Sequence, residues 1–390
     1  MAEITPEIRS LHSQPSWILR SSTVEMAVTR MGGQMAPVHF ACDTAQPIQP
    51  YAISPWQDET EGLPESGSER ILRGDFFCLP FGRGKGPRGE DHAQHGATAS
   101  AAWSLIGATR QDGVHTLQLS METPVRKGTV TRTLTLRDGE NVVYSATRID
   151  GFAGPATMGH HAVLALPDRD GSLLVSTAPL LFGTTTPYRF GRGEEGSYQS
   201  LAVNKTFRTL TRVPSIFRDT PPQDCSAFPA RRGFTDLLQI AQRPTAGEPG
   251  WVAAVNTEER YLWFSLKNLA ALPSTVLWIE NCGRYVTPWR GRTCVLGLED
   301  VCSYFDMGIS AAMAPNGFSE WGASTVHRLT ARRPFEVRYI QGVLRTPRGF
   351  SKVKRAYFPE GGVVFVDGEG REARTAVDSS FVFASGERWT

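Results

Sequence analysis

Thr287-Pro-Trp-Arg-Gly-Arg-Thr-Cys-Val-Leu-Gly-Leu-Glu-Asp-Val-Cys-Ser-Tyr-Phe305 opens on a turn marked by Pro288 and Gly291 and runs into an apolar segment, Cys294 to Leu298. Side chains alternate along a strand. Leu296 and Leu298 therefore share one face, which reads as core. Val295, Gly297 and Glu299 share the other, where Gly297 leaves a gap for a ligand. An acid beside a gap on a rigid strand suits a general base. Asp300 is expected to cap a helix over Val301–Met313.

Working outward, short runs rich in Val, Thr, Leu and aromatic residues alternate with turn residues along the whole chain. That pattern predicts an all-β sandwich or barrel with antiparallel strands and little helix. Among the predicted strands are Ile71–Leu79, Val114–Met121, Met158–Leu166, Phe234–Ala241 and Thr275–Ile279. Asp138-Gly139 sits between two alternating runs, a strong hairpin signal. A second short helix is expected within Ala2–His12. One large domain over residues 1–340 is the simplest division. Residues 341–390 form a C-terminal extension with a hairpin signal at Gly361–Gly368, packed on that domain or used for oligomerisation.

The net charge of +2 gives no general attraction to nucleic acid or to acidic membranes. No run of about 18 apolar residues is present to span a membrane. No basic start leads into an apolar run, so no signal peptide is expected and the chain reads as cytoplasmic. None of the six cysteines stands in a Cys-x-x-Cys pair. Buried thiols, with no disulfide framework, are the expectation.

Besides Glu299, three places have chemical potential. Gly159-His-His-Ala-Val-Leu-Ala-Leu-Pro167 puts two histidines on opposite faces of a strand. His160 goes with the bulkier face and packs; His161 is placed toward a cavity. His95, in the pair His95-Gly96, ends a glycine-rich loop. His92 and His95 lack any partner motif for a metal, so no metal site is expected. Asp236 interrupts an apolar strand and is either paired structurally or a ligand contact. Trp289 and Arg292, just ahead of the Glu299 strand, are placed as substrate contacts. A tryptophan offers a flat surface to the apolar C–H face of a sugar ring.

In order along roughly residues 15–340, these motifs resemble the galactose mutarotase (aldose 1-epimerase) superfamily. Gly32-Gly-Gln-Met-Ala-Pro-Val38 and Gly74-Asp-Phe-Phe-Cys-Leu-Pro-Phe-Gly82 are similar to its approach to the active site. His95-Gly96 looks like its His-Gly pair. The His160-His161 segment resembles its Gly-Trp-His-Pro-Tyr-Phe-x-Leu-Pro pattern. Phe234-Thr-Asp-Leu237 resembles the strand bearing its substrate-binding aspartate, and Leu296-Gly-Leu-Glu-Asp300 its Cys-Leu-Glu-Pro stretch. The family's His-Gly-x-x-Arg becomes His95-Gly-Ala-Thr-Ala99, which lacks the arginine.

The resemblance implies a β-supersandwich and an isomerase acting at the anomeric centre of a monosaccharide or sugar phosphate, with no cofactor. Glu299 would be the catalytic base and His161 the acid. A space between them that admits one sugar ring is expected. His95 and Asp236 would hold sugar hydroxyls. Two other readings stay open: a non-catalytic carbohydrate-binding protein, and a polysaccharide lyase or glycosidase. A glycosidase needs two carboxylates flanking the bond, Glu299 with Glu280 or Asp236.

Overall fold

Two large sheets, antiparallel throughout, carry the alternation read from the sequence. The computed structural model describes residues 2–63 and 67–384. One sheet has ten strands, with Phe335–Arg345 at its middle between Val142–Asp150 and Tyr261–Lys267. The other has eight. Its centre runs Phe234–Gln242, Ser274–Asn281, Cys294–Cys302, and the last of these pairs with both Met158–His160 and Ala162–Ala165.

Between the sheets lies the main core. Leu277, Ile279, Leu296 and Leu298 enter it from the eight-stranded sheet, and Leu117, Leu134, Trp263 and Val337 from the other. The opposite face of the eight-stranded sheet carries Leu237, Val276, Trp278 and Val295 into a second apolar layer with Phe76, Phe81 and Trp289. The outer face of the ten-stranded sheet is covered by a three-stranded C-terminal sheet, whose Val363 and Phe365 pack on Phe264 and Trp251. The strand Phe335–Arg345 runs straight through residue 340, so the two parts share one sheet. Residues 385–390 of the extension lie outside the described residues.

Several expectations are corrected. The helix over Val301–Met313 is reduced to Gly308–Met313. Asp300 caps nothing, because the strand continues to Cys302 through the pairs Thr275↔Asp300 and Ser274↔Val301. Ala2–His12 forms two strands, Ala2–Ile4 and Glu7–Leu11. They are largely exposed edge strands, so no apolar alternation betrays them. Ile71–Leu79 is buried but irregular apart from Phe77–Cys78. There Gly74, at φ 50°, passes so close to Met35 that a Cβ would lie 1.9 Å from its carbonyl oxygen. The cysteines are not all thiols: Cys282 and Cys294 form a disulfide, closing the turn between adjacent strands, while Cys42, Cys78, Cys225 and Cys302 are free. Among the described residues no helix is long and apolar enough to cross a membrane.

Candidate active site

Glu299 stands inside the strand Cys294–Cys302, opposite Val276 in the neighbouring strand. Gly297 faces Trp278 across the same pair. The gap at Gly297 is filled by the protein itself: a Cβ there would meet Glu299 Oε1 at 2.6 Å and the Trp278 side chain at 3.1 Å. Glycine is thus required for the carboxyl and the indole to pack as they do.

His161 lies between two short strands that both run along the Glu299 strand. Its backbone N–H donates to Phe76 O at 2.9 Å. Its ring stacks on Phe76, centroids 4.6 Å apart and planes within 17°. Its Nε2 lies 3.2 Å from Glu299 Oε1, and both side chains are buried. The expected space for a sugar ring between the two is therefore absent; they touch directly. His160, one residue away, points to the opposite face and lies 2.9 Å from Asp75.

His95 presents its ring edge-on to His161, 4.9 Å between centroids. It sits at φ 59° with its N–H on Gly82 O at 2.7 Å. Gly96 follows where a Cβ would lie 2.0 Å from Leu79 O, so the His-Gly order is dictated by the backbone crossing there.

These groups meet in a cavity of about 390 Å³, a size usual for small-molecule sites. His95, His161, Trp289 and Glu299 line it, together with Trp278, Arg83, Arg284 and Asp306. Trp278 and Trp289 stand edge to face at 5.6 Å. The Arg284 guanidinium lies 4.7 Å from the Trp289 ring centre and 5.1 Å from that of Phe190, and its Nε is 3.2 Å from Glu280 Oε2. Arg83 binds Asp306 Oδ2 through Nε and Nη2, at 3.0 and 2.8 Å. The Tyr188 hydroxyl donates to the other Asp306 oxygen.

Two expected substrate contacts do not reach the cavity. In the strand Phe234–Gln242 it is Leu237 that lines it. Asp236 points the other way and accepts from Ser200 N at 2.9 Å, Ser200 Oγ at 2.5 Å and Leu201 N at 2.7 Å. Arg292 binds Glu59 at 2.5 Å and the Pro288 carbonyl at 3.2 Å. Arg83 and Arg284 bring guanidinium groups to the wall instead. The arginine missing at Ala99 was visible in the sequence. Arg284 was not, because it comes from an irregular loop that no periodicity orients.

Burial sets the electrostatics. It pushes the Glu299 carboxyl well above the ordinary carboxylate range, and the negative charge of Asp306 pushes further. It pushes the His161 imidazole well below its ordinary value, aided by the neighbouring His95. His95 itself falls to about 4, mainly by burial. Both members of the contact thus favour their uncharged forms, a protonated carboxyl and a neutral imidazole. In those forms the pair holds one transferable proton. Among the described residues no group of three or more His, Cys, Asp or Glu side chains is arranged to hold a metal ion.

No family model matches the sequence, and no curated protein matches it significantly. Solved structures do match in fold. A galactose mutarotase-like protein from Clostridium acetobutylicum is 8% identical, with a TM-score of 0.58, covering 88% of this chain and 99% of its own. A galactose mutarotase related enzyme from Lactobacillus acidophilus is 12% identical, with a TM-score of 0.52, covering 85% and 98%. The Slr1438 protein from Synechocystis sp. PCC 6803 is 14% identical, with a TM-score of 0.51, covering 89% and 100%. At such identities the likeness is one of architecture, and it agrees with the sheets described above: the chain has the galactose mutarotase-like β-supersandwich fold.

Proposed function

We propose that this protein is an aldose 1-epimerase-like isomerase that interconverts the anomers of a monosaccharide or sugar phosphate. The observation that carries the reading is the buried 3.2 Å contact between His161 Nε2 and Glu299 Oε1 in the wall of a sugar-sized, tryptophan-lined cavity. The anomeric oxygen and the ring oxygen are both bonded to C1. An acid and a base in mutual contact therefore reach both from one side. Moving the shared proton from Glu299 to His161 creates a carboxylate and an imidazolium. Glu299 then takes the proton of the O1 hydroxyl, the C1–O5 bond breaks, and His161 delivers its proton to O5. The open aldehyde turns about C1–C2. Reclosure runs the same transfers backwards, and the pair ends with the one proton it began with.

His95 and Trp289 would contact the sugar, and Arg83 and Arg284 offer donors to hydroxyls or to a phosphate. The glycosidase alternative needs a second available carboxylate. Glu280 is taken up by Arg284 and by the N–H groups of Gly283 and Arg284. Asp306 is held by Arg83 and Tyr188, and Asp236 lies outside the cavity. That distribution favours the isomerase reading. Proton exchange NMR between α and β signals, across a panel of aldoses and sugar phosphates with and without the protein, tests it. Acceleration of at least one sugar is expected. No acceleration of any, with a sugar still raising the melting temperature, would leave a binding protein instead.

A further inference from the structure

Three dipeptides around the cavity are split between the two faces of the sheet that carries it. In each, one residue meets the proposed proton-transfer pair or belongs to it: Phe76, His161 and Glu299. Its sequence neighbour, Asp75, His160 or Asp300, points into the space between the two large sheets, where all three are fully buried. There they meet cations from the ten-stranded sheet. Arg132 Nη2 lies 3.1 Å from Asp75 Oδ2, and His160 Nδ1 lies 2.9 Å from the same oxygen. Lys267 Nζ binds Asp300 Oδ1, while Ser265 Oγ donates to Oδ2 at 2.7 Å and Thr275 Oγ1 to Oδ1 at 2.6 Å. Tyr339 joins the two halves: its hydroxyl donates to Asp300 at 2.8 Å, and its ring stacks on His160 at 4.0 Å.

We propose that this buried clasp, Arg132–Asp75–His160 and Lys267–Asp300 bridged by Tyr339, positions the Glu299–His161 pair. The inference rests on the isomerase reading for its kinetic meaning, though not for its structural test. Because side chains alternate, a strand cannot turn or slip so as to displace Asp300 without displacing Glu299. His160 and His161 are likewise tied through adjoining backbone, as are Asp75 and the Phe76 ring that supports His161. Apolar packing between the sheets would supply cohesion equally well, since buried ion pairs seldom exceed well-packed hydrophobic residues in stability. What directional pairs add is register. Each acid can satisfy its partners in only one strand setting, and that setting brings His161 and Glu299 into contact.

The test uses Asp300→Asn combined with Lys267→Met, which removes both charges together, and Tyr339→Phe, which removes only the bridging hydroxyl. Nitrogen-15 NMR of the His161 ring reports the surroundings of Nε2, and so its contact with Glu299, without any need for turnover. The altered clasp is expected to shift the His161 Nε2 signal and to lower kcat on the order of 10- to 100-fold with KM unchanged, as misplacement of a reacting group does. A folded double variant with wild-type Nε2 signal and wild-type kcat would overturn the proposal. If the double variant does not fold, Tyr339→Phe is read by the same two criteria. If the wild type anomerises no sugar, the isomerase reading fails, and the Nε2 signal alone decides for or against the clasp.

Discussion

His161 Nε2 and Glu299 Oε1 lie 3.2 Å apart, on side chains that are both almost completely buried. A carboxyl that is ordinarily ionised and an imidazole that ordinarily titrates close to neutrality are here pushed toward their uncharged forms by the same desolvation. The proposed chemistry needs one proton on the pair, neither two nor none. With the imidazole lowered and the carboxyl raised, the singly protonated pair persists from below the ordinary histidine range to above the ordinary carboxylate range. Anomerisation should therefore be flat through that window. On the acid side it falls only once His161 is protonated as well, below the ordinary histidine range. On the basic side it falls once Glu299 loses its proton, above the ordinary carboxylate range. A kcat profile from pH 4 to 10 checks this. A rate that rises through the ordinary glutamate range near pH 4.5 and then levels would contradict it.

Acid should weaken the fold through His95. Its folded pKa is about 4 against 6.5 for an unperturbed ring, so between those values the unfolded chain binds a proton that the native state does not. Stability then falls as pH falls. At about 1.4 kcal/mol for each pH unit in that interval, the loss sums to on the order of 3 kcal/mol. Denaturant unfolding at pH 7 and at pH 4.5 should show a smaller difference for His95→Gln than for the wild type.

Cys282 and Cys294 close a loop with sequence separation 12, and that loop carries Arg284 and Trp289 to the cavity wall. A cross-link of this length is worth about 2–3 kcal/mol. Replacing both cysteines with serine should lower stability by about that amount and raise KM, while the Glu299–His161 contact survives on its own strands. Alkylation without reductant should label four thiols in the unfolded protein, and six after reduction.

Trp289 and Arg292, three residues apart, should behave differently. Trp289 lines the cavity and Arg292 is bound to Glu59 away from it. Trp289→Leu should weaken sugar binding by about 1 kcal/mol through lost apolar contact. Arg292→Ala should leave it unchanged. Titration calorimetry with a sugar that the wild type binds separates the two.

The fold was legible because its signals are periodic. Leu296 and Leu298 enter the core while Glu299 turns to the cavity, as alternation along a strand requires. The same rule placed His160 and His161 on opposite faces. Period two does not say which face of a fully buried strand meets a cavity, and that is why alternation alone left Asp236 open between a structural pairing and a ligand contact. Every residue of Thr235–Gln242 is buried, so no exposure pattern marks the difference. Turns carry no period at all. Arg292, Arg284 and Arg83 take their directions from loops held by Glu59, Glu280 and Asp306, partners that only the folded chain assembles. Asp300 looked like a cap because an acid before Val-Cys-Ser resembles a helix start. Its true partner, Lys267, lies 33 residues earlier on the facing sheet.

The central claim is that Glu299 passes protons to and from the anomeric centre. It is tested most directly by exchange NMR on Glu299→Gln with a sugar that the wild type anomerises. The amide keeps the shape of the carboxyl but cannot take up a proton. Loss of one general base costs about 10²–10⁴-fold in rate. A fall of that size, with sugar binding and melting temperature retained, is the expected result. A Glu299→Gln protein that exchanges the anomers at the wild-type rate would contradict the account.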